Sequence, residues 1–119
     1  MHATILNVTF DSARPAVLAR FWGEVTGWEV QEQDSTPGHE EYAVGPPSPG
    51  GPRLYFVQVP EHKAVKNRIH LDLIPPGDDQ AAELARLVGL GASVLDGQPA
   101  EVPWVVLADP EGNEFCLEG

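Results

Sequence analysis

The sequence has few basic residues and a single cysteine. Its 119 residues include 7 lysines and arginines against 18 aspartates and glutamates, a formal net charge of −11 at pH 7. Proteins that bind nucleic acid need basic side chains to displace counterions from the phosphates, so DNA and RNA are not expected partners. An anionic membrane surface is disfavoured for the same reason. The lone Cys116 excludes an internal disulfide and any multi-cysteine zinc or iron–sulfur site within one chain.

Long apolar runs are also missing. No segment approaches the roughly 20 apolar residues that a membrane-spanning helix needs, and the amino terminus lacks the basic start and apolar run of a signal peptide. We therefore expect a cytoplasmic protein. Apolar residues still make up 42% of the chain, which is enough for the core of one domain. The 12 glycines and 12 prolines predict turns between many short elements.

The first half of the chain combines one helical pattern with several strand patterns. Val17, Phe21 and Val25 recur every four residues, which predicts an amphipathic helix from about Arg14 to Val25. Strands are predicted at residues 3–10, 28–31, 41–44 and 53–59. The proline- and glycine-rich stretch 45–52 must be a loop, and the polar stretch 60–66 is interpreted as a linker.

The second half repeats this order of patterns. Residues 67–74 alternate between apolar and polar side chains, which predicts a strand carrying His70 and Asp72 on its polar face. Asp78 or Asp79 is placed to cap a helix that runs to about Val88. Strands are predicted at residues 92–95, 104–108 and 113–117, and the stretch 109–112 predicts a tight hairpin turn rather than a calcium loop.

The two halves therefore share the order strand, helix and three strands, which indicates a duplication. The tripeptide Leu-Ala-Arg occurs at residues 18–20 and again at 84–86, at equivalent places in the two predicted helices. A βαβββ unit leaves one face of its sheet bare. Two such units side by side are expected to form a cleft in which a ligand could bind.

Four motifs, in this order, resemble the vicinal oxygen chelate superfamily, and more narrowly its single-domain glyoxalase-like or bleomycin-resistance-type proteins. They are Leu18-Ala-Arg-Phe-Trp22, Gly27-Trp28, Lys66-Asn-Arg-Ile-His-Leu-Asp72 and Asp109-Pro-Glu-Gly-Asn-Glu-Phe115. The resemblance implies an α+β fold in which two tandem βαβββ modules form a curved mixed sheet with a cleft. It implies one domain over residues 1–119, with modules at about 1–60 and 67–119 and a linker at 61–66.

The resemblance also implies a divalent metal, held by His and Glu from the first and last strands of each half. His70 matches one of these positions, whereas the other three fall on Thr4, Gln58 and Cys116. These side chains are a poor set for a hard cation, so we expect no cofactor, with zinc, nickel, manganese or iron as the metals to test. If the register differs by two residues, the alternative ligands are His2, Asp72, Glu114 and Glu118.

Several candidate residues have both a functional and a structural interpretation. His70 is the candidate catalytic residue, as a metal ligand, general base or hydrogen-bond donor, or it is an ordinary polar side chain beside Asp72. Cys116 is a small buried side chain or, beside a base, a nucleophile. Most other aromatic residues are expected in the core. The predicted ligand-binding residues are His70, Asp72, Tyr55, Gln58, Trp104 and Cys116.

Three functions remain open at this point. The first is binding or sequestration of a small organic molecule without a metal, as drug-resistance members of the superfamily do. The second is a metal-dependent lyase or isomerase, or a dioxygenase-type enzyme, that uses His70. The third is a non-catalytic interaction domain. In each case we expect a homodimer, because pairing between chains covers exposed sheet edges.

Overall fold

The computed structural model describes residues 1–46, 48–95 and 101–119. The chain divides into two units, Met1–His62 and Lys63–Gly119. Each unit contains a four-stranded mixed sheet and an α-helix, in the chain order strand, helix and three strands. The predicted α+β fold with a repeated βαβββ order is therefore confirmed. No helix among the described residues is long and apolar enough to cross a membrane.

The amino-terminal unit has the sheet order β1-β4-β3-β2, with β1 parallel to β4. Its elements are β1 (Asn7–Ser12), α1 (Pro15–Thr26), β2 (Val30–Asp34), β3 (Glu41–Val44) and β4 (Arg53–Gln58). Helix α1 begins with Pro15, whose missing N–H costs nothing in the first turn, and ends at Gly27 in the left-handed conformation. The core lies between α1 and the sheet, where Phe10 contacts both Trp22 and Phe56.

The first strand is shifted along the chain from its predicted position. It was predicted at residues 3–10, but β1 begins at Asn7 and continues to Ser12. Asn7 pairs with Arg53, the first residue of β4, so the residues before it have no strand beside them. Ile5 is accordingly 68% exposed and does not share a sheet face with Asn7.

The carboxy-terminal unit has the sheet order β5-β8-β7-β6, with β5 parallel to β8. Its elements are β5 (Asp72–Leu73), a short 3₁₀ turn (Pro76–Asp78), α2 (Gln80–Leu90), β6 (Ser93–Val94), β7 (Val105–Ala108) and β8 (Glu114–Leu117). Asp79 caps α2 by accepting a hydrogen bond from the Ala82 N–H at 3.0 Å. The buried core side chains include Leu87, Leu107, Phe115 and Leu117.

Strand β5 is much shorter than predicted. Of the predicted strand 67–74, only Asp72 and Leu73 pair with β8 in the ladder. Ile69, expected on the apolar face, is 78% exposed. The Asn67 N–H donates to the Glu114 side chain at 3.0 Å, so this segment approaches β8 through a side chain instead of a backbone ladder.

The turn between β7 and β8 forms as predicted. The Gly112 N–H donates to the Asp109 carbonyl at 2.9 Å, and Gly112 supplies the positive φ of 88°. The Asp109 carboxylate is buried and accepts from the backbone N–H groups of Glu111 and Asn113. This turn fixes the start of β8, the strand that contributes Glu114 and Cys116 to the site described next.

Candidate functional site

One face of the carboxy-terminal sheet carries a cleft of about 430 Å³. Along β8, Phe115 and Leu117 are buried in the core, so Glu114 and Cys116 project from the opposite face of the sheet. The cleft lies on that opposite face. It is lined by Lys66, His70, Asp72, Trp104, Val106, Glu114, Cys116 and Glu118.

Strand pairing sets the order of groups across the floor of the cleft. Cys116 lies between two partners, Asp72 on β5 and Val106 on β7. Cys116 is 8% exposed, whereas Asp72 and His70 are open to solvent. The floor is therefore a small thiol and a valine, with polar groups around it.

His70 and Asp72 form the polar pair of the cleft. The Nδ1 atom of His70 is 3.1 Å from Oδ1 of Asp72. A neutral imidazole with its proton on Nδ1 donates to this carboxylate, which leaves Nε2 free to accept a proton or bind an ion. They are two positions apart in the sequence, and both line the cleft.

The thiol of Cys116 is held in its neutral form. Burial raises the pKa of Cys116, and the negative charge of Asp72 raises it further, against a smaller opposite effect of Lys66. A nucleophilic cysteine needs the thiolate. These surroundings favour an unreactive thiol over a nucleophile.

The third carboxylate, Glu114, already has partners. It accepts from the Asn67 N–H, and its Oε1 is 3.1 Å from Nζ of Lys63. Burial raises the pKa of Glu114, but the hydrogen bond from Asn67 and the ammonium of Lys63 outweigh this effect and hold the pKa below its ordinary value. Glu114 is therefore ionised and paired, whereas Asp72 and Glu118 remain as carboxylates that a ligand can contact.

The donor set suits a zinc-like ion better than a hard cation. His70, Asp72 and Cys116 each offer one donor atom, and the three atoms lie within 4.8 Å of one another. A tetrahedral zinc ion with bonds of about 2.0–2.3 Å requires such donors about 3.3–3.6 Å apart, so the three must close by up to about 1.5 Å. Nitrogen and sulfur donors fit zinc, whereas manganese and magnesium prefer oxygen. In such a site Asp72 would be the third ligand that the matched positions lacked.

The remaining predicted site residues belong to the amino-terminal unit. Thr4 is exposed and lies outside the strands. Tyr55 and Gln58 are three positions apart in β4, and side chains alternate between the faces of a strand, so they lie on opposite faces. The Gln58 side chain accepts a hydrogen bond from the Glu40 N–H at 3.1 Å, and the Tyr55 hydroxyl donates to Glu41 at 2.5 Å.

Two lining residues carry no clear signal in the sequence. Lys66 stands in a stretch interpreted as part of a polar linker, and Val106 looks like any other apolar strand residue. The sequence predicted Glu114 and Glu118 only as alternative metal ligands. The alternation of Glu114, Cys116 and Glu118 with Phe115 and Leu117 is the signal that could have placed all three on one face.

Comparisons with known proteins agree with this architecture. A family model described as "Glyoxalase-like domain" matches residues 7–118. The YycE protein of Bacillus subtilis superposes with a TM-score of 0.74 at 18% identity, covering 98% of this chain and 89% of that one. A second structure is a mutant FosX fosfomycin resistance protein from Listeria monocytogenes, complexed with Mn(II) and 1S,2S-dihydroxypropylphosphonic acid. It superposes with a TM-score of 0.75 at 13% identity, covering 99% of this chain and 93% of that one.

A third structure, a glyoxalase-related enzyme from Fulvimarina pelagi, has a TM-score of 0.65 and 21% identity, covering 98% of this chain and 88% of that one. At these identities the likeness shows the fold. No curated protein matches the sequence. Because the family match spans residues 7–118, the protein belongs to the glyoxalase-like domain family, and the solved structures share its fold.

Proposed function

We propose that the protein binds a small organic cation with a flat, conjugated portion in the cleft of its carboxy-terminal unit, without a divalent metal. The observation that carries this proposal is the presence of Trp104, Asp72 and Glu118 around one cleft of about 430 Å³. This volume lies within the range of small-molecule sites, about 300–1,000 Å³.

The charges around the cleft favour a cation. Asp72 and Glu118 have no ammonium or guanidinium partner among the ion pairs of the described residues, whereas Glu114 is paired with Lys63. Among the described residues that line the cleft, Lys66 is the one lysine or arginine. The net charge of −11 adds a long-range attraction for positive ligands.

Trp104 supplies a surface for the flat part of the ligand. Its side chain lines the cleft and is 41% exposed, which is unusual for so large an apolar group. An indole face binds conjugated rings by stacking and cations by their attraction to the ring. In this proposal His70, oriented by Asp72, contributes a hydrogen bond from the edge of the cleft.

The first experiment compares two ligands of similar shape and opposite charge by isothermal titration calorimetry. The planar cation 9-aminoacridine is expected to bind at least about tenfold more tightly than the planar anion 9-anthracenecarboxylate, a difference of about 1.4 kcal/mol. Trp104→Ala and Asp72→Asn are each expected to weaken binding of the cation. Glu61→Gln, which removes an exposed carboxylate from outside the lining set, is the matched control.

Equal affinity for the two ligands would contradict the charge argument. Cation binding that survives Trp104→Ala unchanged would contradict the location of the site. Either result would refute the proposal as stated, since Trp104 and the carboxylates are its basis.

A second candidate, a zinc-dependent lyase or isomerase, is favoured by the clustering of His70, Asp72 and Cys116. These three residues would hold the ion, which when bound supplies a Lewis acid that polarises a substrate oxygen. Elemental analysis after purification without metal-affinity resin tests this function. Stoichiometric zinc that is lost in Cys116→Ala would favour it, and binding of 9-aminoacridine by zinc-free protein would favour the first proposal.

We also propose that the protein is a homodimer. Strands β1 and β5 lie at the edges of their sheets, where unpaired backbone groups invite pairing with another chain. Light scattering at micromolar concentration is expected to give twice the mass of the 12.8 kDa chain. A mass of one chain would contradict the proposal.

A further inference from the structure

The amino-terminal sheet carries a second polar arrangement on the face turned away from α1. Leu54 and Phe56 of β4 are buried on the side of α1, so Arg53 and Tyr55 project from the opposite face. Asn7 of β1 is the pairing partner of Arg53 and lies on the same face. None of these residues belongs to the lining of the cleft described above.

The guanidinium of Arg53 is fixed by two contacts. Its Nε–H donates to Oδ1 of Asn7 at 2.9 Å. Its Cζ lies 5.1 Å from the centre of the Tyr55 ring, which is within the range of a cation–π contact. The hydroxyl of Tyr55 donates to Glu41 and thereby holds the ring in place. The plane of the guanidinium is thus set without use of its two terminal nitrogens.

Within the part of the chain that the structure describes, Arg53 forms no ion pair. Over residues 1–46, 48–95 and 101–119, no carboxylate lies within ion-pair distance of Arg53, and its hydrogen-bonding partner is the neutral amide of Asn7. Arg53 is only partly exposed. A partly buried guanidinium without a counterion is unfavourable, and this one occurs in a chain with 18 acidic and 7 basic residues.

We propose that Arg53 is the centre of a binding site for an oxyanion group of a small molecule, a carboxylate in preference to a phosphate. Its terminal N–H groups form a planar fork that matches two oxygens of such a group. Because Asn7 and Tyr55 already restrict the side chain, little conformational entropy is lost on binding. Glu41, held by Tyr55, adds a negative charge to this face that favours a monoanion over the phosphate dianion.

The test titrates the ¹⁵N-labelled full chain with sodium acetate and, separately, with inorganic phosphate, at constant ionic strength maintained with chloride. The Nε–H resonance of Arg53 and the backbone amide resonances around it are expected to shift and saturate with acetate, with weaker binding of phosphate, and the backbone amides report binding in the variants. Arg53→Lys keeps the charge but loses the fork, and is expected to weaken acetate binding about tenfold. Arg68→Lys, at an exposed position in the carboxy-terminal unit, is the matched control and is expected to bind as the wild type does.

A second variant separates the site from a general effect of charge. Asn7→Ala leaves Arg53 in place but removes the hydrogen bond that holds its guanidinium. This variant is expected to bind acetate several-fold more weakly, while its backbone amide spectrum remains that of a folded protein. Three outcomes would each overturn the proposal. They are acetate binding in Arg53→Lys as tight as in the wild type, an Arg53 resonance whose shift rises without saturation, and unchanged acetate binding in Asn7→Ala.

Discussion

Asp72 and Cys116 lie directly opposite one another in the parallel ladder between β5 and β8, and both line the same cleft. A carboxylate is thereby placed beside a thiol that is 8% exposed. Burial and this carboxylate together raise the pKa of Cys116. The pairing keeps the thiol neutral when no cation is bound, and it also brings together two donors of a possible metal site.

The first prediction concerns the reactivity of this thiol. Cys116 is expected to react slowly with iodoacetamide near pH 8, because the raised pKa leaves little thiolate. Asp72→Asn removes the neighbouring charge and is expected to lower the pKa of Cys116 and to raise the rate by about threefold. Glu61→Gln is the control for a general loss of negative charge.

The pH dependence of the alkylation rate distinguishes this effect from a change in access. A change in pKa moves the midpoint of the profile and leaves the rate at high pH unaltered, whereas better access raises the rate at every pH. An unmoved midpoint in Asp72→Asn would show that Asp72 does not influence the thiol.

The second prediction concerns acid stability. The pKa of Glu114 is lowered in the folded protein, so its contribution to stability is complete above the pKa of an unfolded glutamate, about 4.3. That contribution is lost as the pH falls through the lowered value. Glu114→Gln is expected to cost about 1–2 kcal/mol at pH 7 and to make the free energy of unfolding less dependent on pH below about 4.3. Urea unfolding at several pH values measures both effects, with Glu61→Gln as the control. The same pH dependence of the free energy of unfolding in the two variants below a pH of about 4.3 would contradict the role of Glu114.

The third prediction concerns the turn before β8. The Asp109 carboxylate is buried and accepts from the N–H groups of Glu111 and Asn113 and from the Asn113 side chain. Asp109→Ala leaves these donors unsatisfied and is expected to destabilise the protein by about 2–3 kcal/mol. Asp109→Asn keeps one accepting oxygen and is expected to cost less. The free energies of unfolding of the two variants check this order, and equal costs would refute the hydrogen-bond explanation.

The fourth prediction concerns the start of α2. The Asp79 side chain accepts from the Ala82 N–H at 3.0 Å, a helix cap whose loss costs about 1 kcal/mol. Asp79→Ala is expected to show this loss in urea unfolding. Asp79→Asn, which can cap equally well, is expected to stay within a few tenths of a kcal/mol of the wild type. A large loss in both variants would assign the effect to the charge and not to the cap.

The sequence predicted most of the local structure because the signals for it are local. Periodicity predicted α1 to within one residue at either end, and β3 occupies its predicted residues. Motif order also predicted the family. In α2 apolar character is a poor guide to burial, because Val88 is exposed whereas Leu87 and Glu83 are the buried residues of the helix.

Edge strands were predicted less well. The alternation over residues 67–74 indicated a full strand, but pairing requires a neighbour in register, and only Asp72 and Leu73 have one in the ladder with β8. For the same reason β1 begins at Asn7, where its pairing with β4 begins, and not at the predicted residue 3. The pattern of apolar and polar residues in one strand does not determine which residues of the neighbouring strand pair with it.

The sequence by itself determined the duplicated order of elements, the excess of acidic residues and the presence of His70 and Cys116 in strand-like segments of the second half. Only the tertiary structure decided that Asp72 joins His70 and Cys116, and that Trp104 and Glu118 share their cleft. The physical reason is that spacing along a chain sets which residues share a face of one strand, whereas register between strands sets which side chains meet.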